Sequence, residues 1–142
     1  MAAHVAAAQQ NSGRNYIVRT SAGVYYNVHI DHLSDVVFRK SSDRGLTWGP
    51  AVVVYAGTAV QLSIWYDRWS GIAAGLIHMA YTESGTDDTL YRTINTESSD
   101  ALSTQTVIFA GASTANGAML SIVRALGGNV YCRTMIDAGA EG

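Results

Sequence analysis

The most informative local sequence of this 142-residue chain is Ser41-Ser42-Asp43-Arg44-Gly45-Leu46-Thr47-Trp48. It predicts a tight turn, because the Asp43 side chain is suited to hydrogen-bond the amides of its own turn and Gly45 adopts a positive φ at little cost. The flanking segments 35–40 and 51–55 are rich in β-branched and aromatic residues, which is typical of strands. The stretch is therefore predicted to be the turn of a β-hairpin.

The residues of this turn also carry a resemblance to a known family. Ser41, Asp43, Gly45, Thr47 and Trp48 match every defined position of the Ser-x-Asp-x-Gly-x-Thr-Trp pattern of the Asp-box, or BNR repeat. The chain thus resembles the sialidase-like β-propellers, which include sialidases, other secreted glycosidases, non-enzymatic receptors and phage virion proteins. The resemblance implies a structural turn between the third and fourth strands of a blade, away from any catalytic centre, with Trp48 packed inside the blade. The alternative is that a polar turn followed by tryptophan arose in some other β fold.

Internal repeats extend the hairpin into a series of similar units. The phrase Ile17-Val18-Arg19 returns as Ile122-Val123-Arg124, 105 residues later (122 against 17). Gly23-Val24-Tyr25 has a counterpart in Gly128-Asn129-Val130-Tyr131. Shorter similar segments lie between these two copies and divide the 105 residues into two units of about 50 residues. This length is in the range of a four-stranded propeller blade.

The predicted architecture is all-β, a partial propeller of about two and a half four-stranded antiparallel blades. Four segments are expected: a flexible or docking N-terminal arm at 1–14, a first blade with the Asp-box at 15–57, a second blade at 58–112 and part of a third at 113–142. Strands are expected at 15–20, 24–31, 35–41, 51–55, 60–66, 76–82, 88–95, 104–110, 118–125 and 129–137. The polar loop 95–102 in the second blade is longer than its counterpart and lacks the glycine and tryptophan of the box.

The length of the chain sets a requirement for partners. Propellers close with 4 to 8 blades, so two and a half blades do not complete a ring. We therefore expect association with copies of the chain or with another chain, or a chain that is a piece of a longer propeller. An open, self-standing stack resembling a β-sandwich is the remaining alternative.

Composition excludes several classes of partner. A net charge of -2 and a pI near 6.0 provide no basic surface for nucleic acid and no polybasic anchor for a membrane. The single Cys132 excludes an intrachain disulfide, and no His/Cys cluster has ligand spacing, so neither a cofactor nor a metal is predicted. The N-terminal residues lack the features of a signal peptide, so an extracellular or virion location rests on the resemblance alone.

Catalytic residues are not predicted. The resemblance implies that a sialidase would carry three arginines, a tyrosine nucleophile assisted by a glutamate, an aspartate acid and an early Arg-Ile-Pro motif. The only proline is Pro50, so that motif is absent. Arg19 and Arg124 occupy equivalent inner-strand positions, which a structural role explains equally well. The sequence thus favours a non-catalytic structural or binding module, with a fragment of a sialidase-like glycoside hydrolase as the alternative.

Ligand contacts are expected from the loops at the end opposite the Asp-box, where such folds recognise a glycan or a protein partner. The candidate side chains are polar and mostly acidic: Asp31, His32, Asp35, Glu83, Asp87 and Asp88. Strand alternation turns His32 away from Asp31, so a solvated turn is favoured over a metal site. Trp65 is expected to pack in the core, whereas Trp69 is the candidate for an exposed sugar contact. The module is expected to serve as a virion or surface component.

Overall fold

The computed structural model describes residues 16–66, 75–111 and 120–134, and all regular structure in these ranges is β-strand. The strands are, in chain order, β1 (Tyr16–Arg19), β2 (Tyr25–Ile30), β3 (Val36–Ser41), β4 (Val52–Tyr55), β5 (Ala59–Tyr66), β6 (Leu76–Glu83), β7 (Thr89–Asn95), β8 (Ala101–Leu102), β9 (Thr106–Phe109), β10 (Leu120–Arg124) and β11 (Val130–Thr134). Every predicted strand has a counterpart. The two-residue strand β8 was not predicted, because it lies within a polar loop.

The strands form three antiparallel sheets. The first has the order β1-β2-β3-β4, the second has β5-β6-β7 with both β8 and β9 paired to β7, and the third is the pair β10-β11. The prediction of an all-β, antiparallel chain is confirmed. The described residues form no closed ring, so the partial propeller remains a prediction.

The three sheets stack face to face in chain order, with the second sheet in the middle. Ile77, Met79 and Tyr81 of β6 belong to a hydrophobic cluster shared with the first sheet, whereas Ala80 belongs to a second cluster shared with the third sheet. Because both faces of the second sheet are covered, β6 is almost entirely buried. The first strands of the outer two sheets, β1 and β10, both contact β5, which is the first strand of the middle sheet. The first strands of the three sheets therefore lie side by side.

Glycines repeat with the sheets. Gly23, Gly75 and Gly128 have φ angles of 83°, 90° and 89°, and each precedes the second strand of its sheet. Their spacings are 52 (75 against 23) and 53 (128 against 75) residues. A positive φ is accessible to glycine without the steric cost that a Cβ carries. The repeat inferred from the sequence therefore extends to the backbone conformation.

The polar loop before β9 joins the first and second sheets. Asp100 accepts hydrogen bonds from the Tyr26 hydroxyl and from Lys40 Nζ, each at 2.5 Å. From β7 itself, Arg92 donates from Nη1 to the carbonyl oxygen of Val54 in β4, at 2.5 Å. The loop 95–102, which lacks the glycine and tryptophan of the Asp-box, therefore links the first and second sheets through Asp100.

Within the described ranges, no helix has the length and apolar character needed to cross a membrane.

Candidate functional site

The Asp-box turn is closed by its own polar groups. Asp43 Oδ1 accepts from the Ser41 hydroxyl at 2.7 Å and from the Thr47 amide at 2.9 Å, and Oδ2 accepts from the Thr47 hydroxyl at 2.5 Å. The Gly45 amide donates to the Ser41 hydroxyl at 2.8 Å, with a φ of 88° at Gly45. The hydroxyls of Ser41 and Thr47 lower the pKa of Asp43 to about 2. These contacts give the four residues a structural role in the turn.

Trp48 differs from its expected position. Its side chain is partly buried and belongs to neither hydrophobic cluster. The ring lies against the turn instead, since a Cβ added to Gly45 would stand 3.7 Å from its Cζ2 atom. Trp48 lies in the connection between β3, which ends at Ser41, and β4, which begins at Val52, and so does not occupy a strand position that faces the next sheet.

The first of the predicted ligand loops uses its carboxylates internally. Asp31 Oδ1 accepts from the amides of Leu33 at 2.9 Å and Asp35 at 3.0 Å. Asp35 Oδ1 accepts from the amide of Gly57, at 2.9 Å, and so ties the loop to the junction between β4 and β5. Both side chains therefore hold the backbone in place.

The second predicted ligand loop is built in the same way. Glu83, which is 5% exposed, accepts from the amides of Gly85 at 2.7 Å and Thr86 at 2.8 Å, and from the Thr86 hydroxyl. The Thr86 hydroxyl, followed by these amides, lowers the pKa of Glu83 to about 2. Asp88 Oδ1 accepts from the amide of Gly111 at 2.9 Å.

The two loops are structural equivalents although their sequences differ. Asp35 and Asp88, 53 positions apart (88 against 35), each bind a glycine amide at the exit of a sheet. The residue before each, Ser34 or Asp87, has a positive φ, of 65° and 58°. Asp31, Asp35, Glu83 and Asp88 thus have structural partners, and their proposed ligand role has no support from this geometry.

The other predicted contacts give no further site. His32 is exposed in the first loop. Trp69 and the N-terminal arm at 1–14 lie outside the described residues. Within 16–66, 75–111 and 120–134, no three His, Cys, Asp or Glu side chains gather in a metal-binding arrangement.

A cleft of about 330 Å³ lies where β1 and β5 end, beside the β1–β2 turn. It is lined by Ile17, Val18, Arg19, Tyr25 and Tyr66. Arg19 and Tyr25 are cross-strand partners, and the guanidinium carbon of Arg19 lies 5.9 Å from the centre of the Tyr25 ring. This end of the stack is the one that carries the Asp-box turn, opposite the predicted ligand loops.

Among the described residues, the lining of the cleft combines a cation with aromatic surface and includes no acidic side chain. An arginine is permanently charged and forms paired hydrogen bonds to carboxylate or sulfate groups. The rings of Tyr25 and Tyr66 offer apolar faces with a polar hydroxyl at the edge. The arrangement is therefore suited to a ring-shaped polar ligand with an anionic group. Arg19 and Tyr25 belong to the segments that repeat in the sequence. Tyr66 joins the lining of the cleft only because β5 packs beside β1.

A buried polar pair lies between the second and third sheets. His78 Nδ1 is 2.7 Å from the Tyr91 hydroxyl, and His78 is 4% exposed. Burial raises the pKa of Tyr91, and the nearby charge of Arg124 opposes that increase. Trp65 packs against the hydrophobic cluster between the second and third sheets, as expected from the sequence.

Comparisons with known proteins identify similar folds only. No protein-family model and no curated protein matches the chain. A solved polysaccharide lyase of family PL25, an ulvan lyase, matches with a TM-score of 0.54 and 19% identity over 89% of this chain. An ulvan lyase structure of the same family, bound to -[GlcA(1-4)Rha3S]-, matches with a TM-score of 0.55 and 18% identity over 89% of this chain. The chain spans 38% of the length of each of these proteins. At this identity the likeness concerns the fold, and the resemblance to sialidase-like propellers rests on the Asp-box and the repeat.

Proposed function

We propose that this chain is a non-catalytic, carbohydrate-binding β module of the propeller type, and that it binds an acidic polysaccharide. The observation that carries the proposal is the placement of Arg19 over Tyr25 in the cleft beside Tyr66. A sugar ring stacks on an aromatic face, while its carboxylate or sulfate binds the guanidinium. Each element of the cleft then has a partner on the ligand.

The structural neighbours support the class of ligand. One ulvan lyase structure is bound to a chain of glucuronic acid and 3-sulfated rhamnose, and both of its units carry anionic groups. The net charge of -2 is small, so attraction would come from the local charge of Arg19 rather than from the whole molecule. Such local attraction weakens with salt.

The proposal moves the ligand site away from the loops predicted from the sequence. The carboxylates of those loops accept hydrogen bonds from their own backbone, and an acidic loop would repel an acidic polymer. The setting as a virion or surface component, within a longer or assembled propeller, remains part of the proposal. It rests on the Asp-box, the repeat and the share of the neighbours' length that the chain spans.

Calorimetric titration with polyglucuronate oligosaccharides tests the proposal, with maltooligosaccharides of equal length as the neutral comparison. We expect binding of the acidic oligosaccharide, weakened at least about tenfold by Arg19→Gln because a charge-assisted pair is lost. Arg133→Gln removes an exposed arginine from β11, outside the cleft, and is the matched control. Absence of binding to either oligosaccharide, or equal weakening by the two variants, contradicts the proposal.

Cleavage of such a polymer is the second candidate function, and the His78–Tyr91 pair is the observation that favours it. Histidine and tyrosine are side chains that act as general acids and bases. The burial of His78 between two sheets argues for a structural role instead. Incubation with polyglucuronate, followed by the ultraviolet absorbance of unsaturated uronates, separates the two. If this absorbance increases steadily with the wild type and not with His78→Gln, cleavage is favoured over simple binding.

The alternative implied by the Asp-box, a fragment of a sialidase-like glycoside hydrolase, also has a direct assay. A fluorogenic sialoside reports hydrolysis. Turnover that is lost when Arg19 is replaced would favour this alternative over simple binding.

A further inference from the structure

The first sheet carries two arginines on the face that is turned away from the second sheet. Arg19 of β1 pairs with Tyr25 across β1 and β2. Arg39 of β3 pairs with Asn27 across β2 and β3. Because alternate residues of β2 point to the same side, these four side chains share the outer face. The four strands of the first sheet contain no Asp or Glu, so this face has positive charge and no acidic strand residue.

Arg39 lies along the sheet from the cleft that holds Arg19. The two arginines are two strands apart and are offset by two residues along the strands. Strand spacing and rise per residue put their Cα atoms about 12 Å apart. Tyr25 and Asn27 lie between them, and both are partly exposed. A linear ligand that is stacked on Tyr25 and bound by Arg19 can therefore continue to Arg39.

The charge of Arg39 is not neutralised within the described part of the chain. Arg39 forms no ion pair with a carboxylate there, whereas Lys40, the next residue of β3, binds Asp100 across the gap to the second sheet. The guanidinium of Arg39 lies close enough to His29 to affect it. Burial, and then the charge of Arg39, lower the pKa of His29, so the imidazole is neutral at pH 7.

The surface between the two arginines is polar and aromatic. The side-chain oxygen Oδ1 of Asn27 has no hydrogen-bond partner among the described residues. A sugar hydroxyl is a suitable donor for such an acceptor. Tyr25 provides the apolar ring face beside it.

We propose that Arg39 forms a second anion-binding subsite, and that the module recognises an acidic polysaccharide through two anionic groups rather than one. The inference rests on the proposed binding at the Arg19 cleft. The ligand crosses the first sheet diagonally, from Arg19 over Tyr25 and Asn27 to Arg39. A guanidinium binds a carboxylate or a sulfate through paired hydrogen bonds, so each arginine holds one anionic group. The site then selects polymers that are charged on more than one sugar unit.

Calorimetric titration with two ligands tests the second subsite. Methyl glucuronide carries one carboxylate, whereas hexaglucuronate carries one on every unit. We expect Arg39→Gln to weaken the binding of hexaglucuronate about fivefold and to leave that of methyl glucuronide unchanged. Arg19→Gln should weaken the binding of both ligands. Arg133→Gln, at an exposed arginine of β11 in the third sheet, is the matched control and should change neither.

The salt dependence of hexaglucuronate binding gives an independent readout. Salt screens each exposed ion pair, so affinity should decrease less steeply with salt in Arg39→Gln than in the wild type. A substitution that only disturbs the sheet lowers affinity without changing this dependence. Unchanged thermal unfolding establishes that the variants are folded.

The outcomes distinguish this inference from the proposed function. Equal affinity of the wild type and Arg39→Gln for hexaglucuronate overturns the second subsite and leaves the Arg19 cleft in place. Equal weakening of both ligands by Arg39→Gln also overturns it, because the substitution then acts through the cleft. If methyl glucuronide binds too weakly to be measured, an unchanged salt dependence in Arg39→Gln overturns it. Absence of hexaglucuronate binding to the wild type contradicts the proposed function itself, and the second subsite with it.

Discussion

The hydroxyl of Tyr26 donates a hydrogen bond of 2.5 Å to Oδ1 of Asp100, which lies 74 residues further along the chain. Tyr26 belongs to the cluster between the first and second sheets, whereas Asp100 belongs to the loop that follows β7. The second oxygen of Asp100 accepts from Lys40, which is 47% exposed. Burial and the neighbouring carboxylate raise the pKa of Tyr26, so this hydroxyl remains a donor at neutral pH.

Removal of this hydroxyl alone should destabilise the protein. Tyr26→Phe keeps the ring in the cluster and removes the donor, so we expect a loss of about 1 to 2 kcal/mol in the free energy of unfolding. Urea denaturation measures the change. Tyr131→Phe is the matched control, because Tyr131 is 57% exposed. An unchanged midpoint for Tyr26→Phe would show that the tie contributes nothing to stability.

Glu83 should make stability depend on pH. Its folded pKa of about 2 is below the value near 4.3 of an unfolded glutamate. The resulting stabilisation is therefore present above about pH 5 and is lost as the pH falls toward 2. Glu83→Gln should unfold more easily at pH 7 and flatten the decline below pH 5, measured by urea midpoints across this range. Glu97→Gln changes an exposed glutamate and serves as the control. Parallel pH curves for the wild type and Glu83→Gln would contradict the assignment.

Trp48 should contribute less to stability than a core aromatic residue. The ring is partly buried and lies outside both hydrophobic clusters, so Trp48→Ala should cost about 1 to 2 kcal/mol. Phe38→Ala, at a fully buried position, should cost about 3 to 5 kcal/mol. Thermal and urea unfolding of the two variants give the comparison. Equal costs would mean that Trp48 packs as the sequence pattern implies.

The strands could be predicted from sequence because local chemistry specifies them. Runs such as 51–55 favour extended backbone, and glycines such as Gly23 and Gly128 mark the turns at a fixed spacing. The equivalence of Asp31 and Glu83 was not visible, because residues of different type and length cap the two loops through their backbone amides. The acidic composition of these loops predicts a ligand site, whereas the structure shows that their carboxylates accept hydrogen bonds from the loop backbone.

The cleft was beyond sequence reasoning for a different reason. Arg19 and Tyr25 meet through strand pairing, but Tyr66 joins them only because β5 stacks beside β1. The tie between Asp100 and Tyr26 likewise depends on how two sheets pack. A pattern within one strand predicts that strand, whereas contacts between sheets depend on register and stacking that no single segment specifies.

The repeated loop ties should differ in strength. Asp35 and Asp88 each accept from a glycine amide at 2.9 Å, but the Asp35 bond is partly buried and the Asp88 bond is exposed. We expect Asp35→Ala to cost about 1 to 2 kcal/mol and Asp88→Ala about 1 kcal/mol or less, because water replaces an exposed bond more readily. Urea denaturation measures both, with Leu33→Ala as the control at a 64% exposed position in the first loop. The double variant should show nearly additive losses, since the two ties lie in different sheets. A cost for Asp88→Ala as large as that for Asp35→Ala would show that exposure does not set the strength of these ties.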